Sequence, residues 1–294
     1  RIGSNSRGPK RLMDGAAVGS YSQFVIALAW LPAWEQYTCD WKLTGVDSAQ
    51  LHLHGVWPEY SAAEAAEAGA GWPQYCGVTT DADAALDPAV LERFNTSDGW
   101  QAWASPYAFG PTALHEWAKH GSCTTLNQSD YFALGEAAMA SFGSGEGATA
   151  LKNSLAMSGG RDNGELMSRL GDGLVDLRKM REAFWRDLAG SSDEAEASDA
   201  VHIRCGPNCT LTEVWLGIAA GGASYDRLMM RHPAGFGLRN TSDECAGCAR
   251  VRVLRRACGG RLTKASLGVG TPLGPVAGAF GGTSLLLRIG GPML

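Results

Sequence analysis

Residues 24–30, FVIALAW, are seven apolar residues in succession, and Pro32 stops the run. Such a run is expected of a strand covered on both faces, which places it at the centre of a sheet. Residues 50–57, QLHLHGVW, alternate instead. In a strand of that pattern Leu51 and Leu53 face the core, while His52 and His54 share the opposite face. Gly55 and Pro58 are expected to end it. Late strands are expected over 201–204 and 211–218, where apolar and β-branched residues return.

Helical stretches are expected at 88–94 and 100–103 as short pieces, from Thr112 through His120 with Gly121 as the stop, from Asp130 to about Met139, and over 174–188, where apolar residues recur at helical spacing. Strands and helices in this order give an α+β fold with a central antiparallel sheet packed with helices. Residues 1–18 are polar and basic without periodicity and read as a flexible N-terminal arm. The stretch 141–173 is rich in Gly, Ala and Ser and reads as an insertion loop. After Cys258 the character changes: residues 259–294 hold ten glycines, three cations and no acids, so a disordered Gly-rich tail is expected there, outside a packed domain of residues 19–258. The first residues lack the apolar segment of a signal peptide, as a mature or trimmed form would.

Composition narrows the partners. With 45% hydrophobic and 19% charged residues the chain has the balance of a folded globular protein, and no apolar run is long enough to span a bilayer. No membrane partner is therefore expected. The net charge of −5 argues against holding nucleic acid on a broad basic face, because such binding rests on counterion release from many phosphates. An enzyme that must release its product needs only a few local cations. Eight cysteines, at 39, 76, 123, 205, 209, 245, 248 and 258, fit three or four disulfides, and four N-glycosylation sequons, at Asn95, Asn127, Asn208 and Asn240, point to the same secretory setting. A zinc site built on Cys245 and Cys248 is the alternative, but no second CxxC stands at ribbon spacing.

Four of the six histidines fall in two short segments, HLHGVWPEY and HEWAKHGSC. On a helix turning about 100° per residue, His115, Glu116, Lys119 and His120 occupy one arc of about 140°, and Trp117 and Ala118 point away. Two imidazoles, a carboxylate and an ammonium on one arc are costly unless they serve a ligand, although a solvated helix face would have the same composition. The group suits phosphodiester cleavage in RNA. A base must take the proton of the 2′-hydroxyl and an acid must protonate the departing 5′-oxygen, and histidine serves both tasks near neutral pH. Lys119 and a hydrogen-bonding His115 would stabilise the charge that grows on the phosphoryl oxygens. The 2′-hydroxyl is the nucleophile, so neither metal nor cofactor is required. A metalloprotease helix is the rival for HEWAKH, but its zinc histidines stand four residues apart on one face, whereas His115 and His120 are five apart.

HGVWPE together with HEWAKHGSC resembles the two active-site segments of the ribonuclease T2 family, acid endoribonucleases of an α+β fold. FVIALAWLP resembles that family's first core strand, Tyr131 and Phe132 the pair after its second segment, and IRCGPNCTLTEVWL its late strands. The resemblance implies a monomeric, disulfide-stabilised, secreted, vacuolar or lysosomal enzyme that cuts single-stranded RNA to 2′,3′-cyclic phosphates and then 3′-phosphates. By position it makes His54 the acid and His120 the base, with His115, Glu116 and Lys119 on the phosphate. Trp57 would stack on a base and Glu59 would hydrogen-bond it, a buried core Trp being the alternative for the former. The resemblance also implies disulfides Cys76–Cys123 and Cys205–Cys258, and leaves Cys39, Cys209, Cys245 and Cys248 open. Glu59 stands where the family more usually has Asp, His52 where it has Thr, Ala29 where it has Gln, and Thr112 where it has an aromatic. A non-catalytic RNA- or partner-binding protein on the same fold is the competing class.

Overall fold

The computed structural model describes residues 18–30, 32–33, 51–80, 82–95, 109–157, 172–189, 200–220, 245 and 247–255. All lie within the compact unit Arg1–Gly260. The expected arm before Val18, the short helix at 100–103, the tail at 259–294, Cys39, Cys258 and the sequon at Asn240 lie outside the described residues.

In chain order the elements are β1 (Gln23–Trp30), β2 (Leu51–Glu59), α1 (Ala62–Ala68), α2 (Pro88–Asn95), α3 (Phe109–Lys119), α4 (Gln128–Phe142), α5 (Glu146–Met157), β3 (Gly173–Asp176), α6 (Leu177–Ala189), β4 (Val201–Gly206), β5 (Thr210–Ala219) and β6 (Arg250–Val253). Six strands form one sheet, an α+β arrangement in which β1 lies between β2 and β5, antiparallel to both. β4 pairs antiparallel with β5, and β3 with β6. As the apolar run requires, every residue of β1 is buried. Phe24, Ile26, Leu28 and Trp30 join the main core with Leu51, Leu53 and Val56 of β2 and with Phe94, Tyr131, Phe132 and Phe184 from the helices. Burial of each such side chain contributes about 1.5–3 kcal/mol. The other face of β1 carries Val25 and Ala27, which pack with Trp57 and Trp215 in a second, smaller cluster.

Three expectations change. β2 does not end at Gly55 or Pro58 but runs to Glu59. It is the last strand of the described sheet order, and an edge strand tolerates a proline because its unpaired side needs no N–H. The expected loop at 141–173 contains helix α5. Its first-turn groups are capped from a distant partner, since the Glu146 and Gly147 N–H groups donate to the Asp187 carboxylate at 2.7 and 2.9 Å, and Arg186 pairs with Glu146. Gly147 packs against the Phe184 ring where a Cβ would collide. Residues 158–171 of the same stretch lie outside the described residues. Finally, the helix expected from 174 starts at Leu177. Residues 173–176 pair with β6 instead, and the Asp176 carboxylate accepts the Lys179 N–H in the first turn.

The disulfide framework is confirmed in part. Cys76 bonds Cys123, as expected. Cys205 bonds Cys245 and not Cys258, and Cys209 bonds Cys248. Cys205 and Cys209 flank the short 3-10 turn Pro207–Cys209 that joins β4 to β5, so one CxxC segment reaches both. Its two sulfurs are consumed in disulfides rather than offered to a metal.

Candidate active site

His54 owes its position to a defect in the sheet. Ala27 pairs with Gly55 and Leu28 with Leu53, which leaves His54 as the extra residue of a β-bulge. A bulge re-aims a side chain and inverts the alternation beyond it. Leu53 and Val56 therefore both join the main core, while Trp57 moves to the face of Ala27. Opposite, β5 pairs Trp215 with Ala27 and Glu213 with Ala29. These two alanines leave room for the imidazole to cross β1, and His54 Nδ1 meets Glu213 Oε1 at 2.7 Å.

Trp57 joins the two histidine segments. Its ring is stacked with His120 at 5.2 Å and edge-on to His54 at 5.0 Å, and its indole N–H donates to Glu116 Oε2 at 2.9 Å. The close approach depends on Gly55, because a Cβ there would collide with both partners of that hydrogen bond. His120 follows the last residue of α3, its N–H donating to the Glu116 carbonyl at 3.0 Å. From behind, the Tyr131 hydroxyl donates to the Val56 carbonyl at 2.9 Å and braces β2 against the start of α4. Cys76–Cys123 fastens the next loop to the turn after His120, and the Tyr75 N–H donates to the Lys119 carbonyl at 2.9 Å.

The titrations of these groups are pushed apart. Burial alone would lower the His54 pKa, but the charge and hydrogen bond of Glu213, with Glu116 beyond, outweigh it and raise the value, Lys119 opposing. His115 goes the other way: partial burial, then Lys119, then His54, hold it down to about 4, so its imidazole is neutral through most of the useful pH range. Burial raises the Glu116 carboxyl despite His54, the Trp57 hydrogen bond and Lys119. Glu213 is also buried, yet His54, Arg204 and the Trp215 N–H outweigh burial and keep its carboxyl below the ordinary value. Divergent titration among clustered groups marks a functional site.

Of the residues expected in the site, His54, Glu116 and His120 each contact Trp57, and His115 and Lys119 are close enough for their charges to act on His54 or on each other. The charge of Glu116 acts on His54. Trp57 is 7% exposed and Glu59 is fully buried. The bulge turns Trp57 inward against His120, and Glu59 stands opposite Gln23 at one end of the β1–β2 pairing. His52 is buried beside Ala29. The Thr112 side chain lies outside the described ones. Glu213 was not anticipated, because nothing in LTEVWL marks it as facing a histidine 159 residues earlier. Alternation alone would have placed it on the face of Trp215, and the bulge at His54 completes the pair.

Among the described residues no helix is long and apolar enough to cross a membrane, and no cluster of three or more His, Cys, Asp or Glu is arranged to hold a metal ion.

Comparisons with known proteins agree on one family. The sequence profile of the Ribonuclease T2 family matches residues 21–153. Curated relatives include "Intracellular ribonuclease LX" of Solanum lycopersicum, 33% identical over 98 residues, which are 32% of this chain and 37% of that one. "Ribonuclease 3" of Arabidopsis thaliana is 30% identical over 117 residues, 38% and 49% of the two chains. A "Ribonuclease" of Aeromonas hydrophila is 32% identical over 120 residues, 40% and 44%. The matched part thus spans about half or less of each relative's length. Among solved structures, RNase NT in complex with 5′-AMP has a TM-score of 0.46 at 18% identity, covering 74% of this chain and 95% of that one. The SF11-RNase of Nicotiana alata has a TM-score of 0.48 at 15% identity, covering 80% and 99%.

Proposed function

We propose that the chain, whose residues 21–153 match the ribonuclease T2 family, is an endoribonuclease that cuts single-stranded RNA by two-histidine acid and base catalysis. The observation that carries this is geometric. His54 from β2 and His120, just after α3, are both held against one indole, Trp57, which supports the pairing of two proton-transfer groups.

In the first step His120 takes the proton of the 2′-hydroxyl, O2′ attacks phosphorus, and the P–O5′ bond breaks as protonated His54 gives its proton to O5′. The product is a 2′,3′-cyclic phosphate. In the second step the roles reverse: His54 removes a proton from water, its oxygen attacks phosphorus, and the P–O2′ bond breaks as His120 gives its proton to O2′, leaving a 3′-phosphate. Lys119 supplies positive charge for the phosphoryl oxygens, and His115, neutral above about pH 4, supplies a hydrogen bond rather than a second charge. Glu116 positions Trp57, and through its ring His120. The raised His54 value suits the acid, which must start protonated. No step routes through a metal or cofactor, and the substrate is bound by a monomer. The three disulfides among the described residues and the sequons suit a secretory-pathway glycoprotein acting outside the cell or in a vacuole or lysosome.

Incubation with single-stranded RNA in EDTA, followed by end-group analysis, tests this. Cyclic phosphates that convert to 3′-phosphates are expected. Fragments with 5′-phosphates, or activity that returns only with added zinc, would contradict it, and RNA that is bound but uncut would favour the non-catalytic binder.

A further inference from the structure

The His54 imidazole is met at Nδ1 by a carboxylate whose own second oxygen is occupied. Glu213 Oε1 meets His54 Nδ1 at 2.7 Å, while Glu213 Oε2 accepts the Trp215 indole N–H at 2.7 Å. An indole N–H can only donate, so Oε2 is committed and Oε1 is aimed. The carboxylate is 5% exposed. On the neighbouring strand Arg204 pairs in register with Glu213 and lies over the Trp215 ring at 4.2 Å, which fixes that ring in turn.

Resting on the ribonuclease reading above, we propose that Glu213 is a positioning residue for the reaction: it holds His54 as the Nδ1–H tautomer, with Nε2 left to exchange the proton with the leaving oxygen, and Trp215 locks the carboxylate in the orientation that does so. A carboxylate placed behind an imidazole sets its tautomer and stabilises the imidazolium without taking the proton itself. Among the described residues, the charged and titratable groups that bear on His54 include Glu213 from β5, Glu116, Lys119 and His115 from α3, and, through Glu213, Arg204 from β4. Glu213 is the one whose hydrogen bond reaches its Nδ1, at 2.7 Å.

The lock makes a specific prediction. In Glu213→Gln the amide carbonyl must accept the Trp215 N–H, which turns the amide NH2 toward His54 Nδ1. Two donors cannot face each other, so neutral His54 is driven to the Nε2–H tautomer. The expected result is a fall in kcat of about a hundredfold or more, with KM changed far less, and a falling limb of the pH–rate profile that moves to lower pH. In the double variant Glu213→Gln/Trp215→Phe the amide is free to flip and offer its carbonyl to His54, so part of the activity returns. A role for Glu213 in packing alone predicts no such recovery.

Nitrogen-15 spectra of histidine-labelled wild-type protein read the tautomer directly and need no variant to fold. Neutral His54 as Nδ1–H supports the proposal, and neutral His54 as Nε2–H overturns it. An unmoved falling limb in Glu213→Gln, or a double variant no more active than the single, also overturns it. If wild-type protein shows the Nδ1–H tautomer but does not cut RNA, the pair stands and the ribonuclease reading fails.

Discussion

His120→Phe is expected to lower kcat on single-stranded RNA by about 10²–10⁴-fold while the protein still folds. Phenylalanine keeps a flat ring against Trp57, so the stack at 5.2 Å survives and only the proton-transfer group is lost. His54→Asn is expected to cost a similar factor, and its amide can still donate toward Glu213, so the buried carboxylate is not left without a partner. The double variant should be little worse than the poorer single, because groups that act on one transition state do not contribute additively. Steady-state kinetics with unfolding curves in parallel check this. Near-normal turnover in either single variant would remove that histidine from its role.

The second large effect is on stability. Cys76→Ser/Cys123→Ser opens a loop with a sequence separation of 47, and the chain-entropy model assigns about 4 kcal/mol to closing one of that size. Against a total of about 5–15 kcal/mol for a domain, this is a large share. Activity should fall too, since the bond anchors the residues around Tyr75 to the turn after His120, where the Tyr75 N–H meets the Lys119 carbonyl. Urea unfolding measures the loss. A change below about 1 kcal/mol would mean that packing, and not the crosslink, holds the segment.

The site was legible where chemistry and local periodicity coincide. The helical arc placed His115, Glu116, Lys119 and His120 together, the family resemblance added His54, and the structure brings His54, Glu116 and His120 to one indole. The disulfide Cys76–Cys123 followed from the family resemblance. What was missed depends on long-range contacts. A β-bulge is not visible in QLHLHGVW, yet it decides that Trp57 faces His120 rather than the main core. Helix α5 was hidden because its cap is Asp187, about forty residues away, and glycine-rich composition argues for a loop when no local cap is present. Cys205 was paired with the wrong partner because the family likeness gives a position and not a distance; the structure brings Cys245 to it instead. Glu213 was missed for a similar reason, being one glutamate among several until β5 is placed beside β1 and its alanines open the path to His54.

The pH dependence of cleavage by the wild-type enzyme tests the two-histidine mechanism most directly. The base must be neutral and the acid protonated, so the rate is the product of two opposed titrations and must rise and then fall. The falling limb belongs to His54. Its pKa is raised, since the charge and hydrogen bond of Glu213 outweigh burial, so that limb is expected above the ordinary imidazole value of 6.5. The rising limb belongs to His120, and His115, held near pKa 4, adds no limb in the neutral range. A bell whose falling side lies above the ordinary imidazole value is the predicted result. A rate that stays flat from about pH 4 to about 8, or one that rises without falling, would contradict the assignment of acid and base to these two histidines.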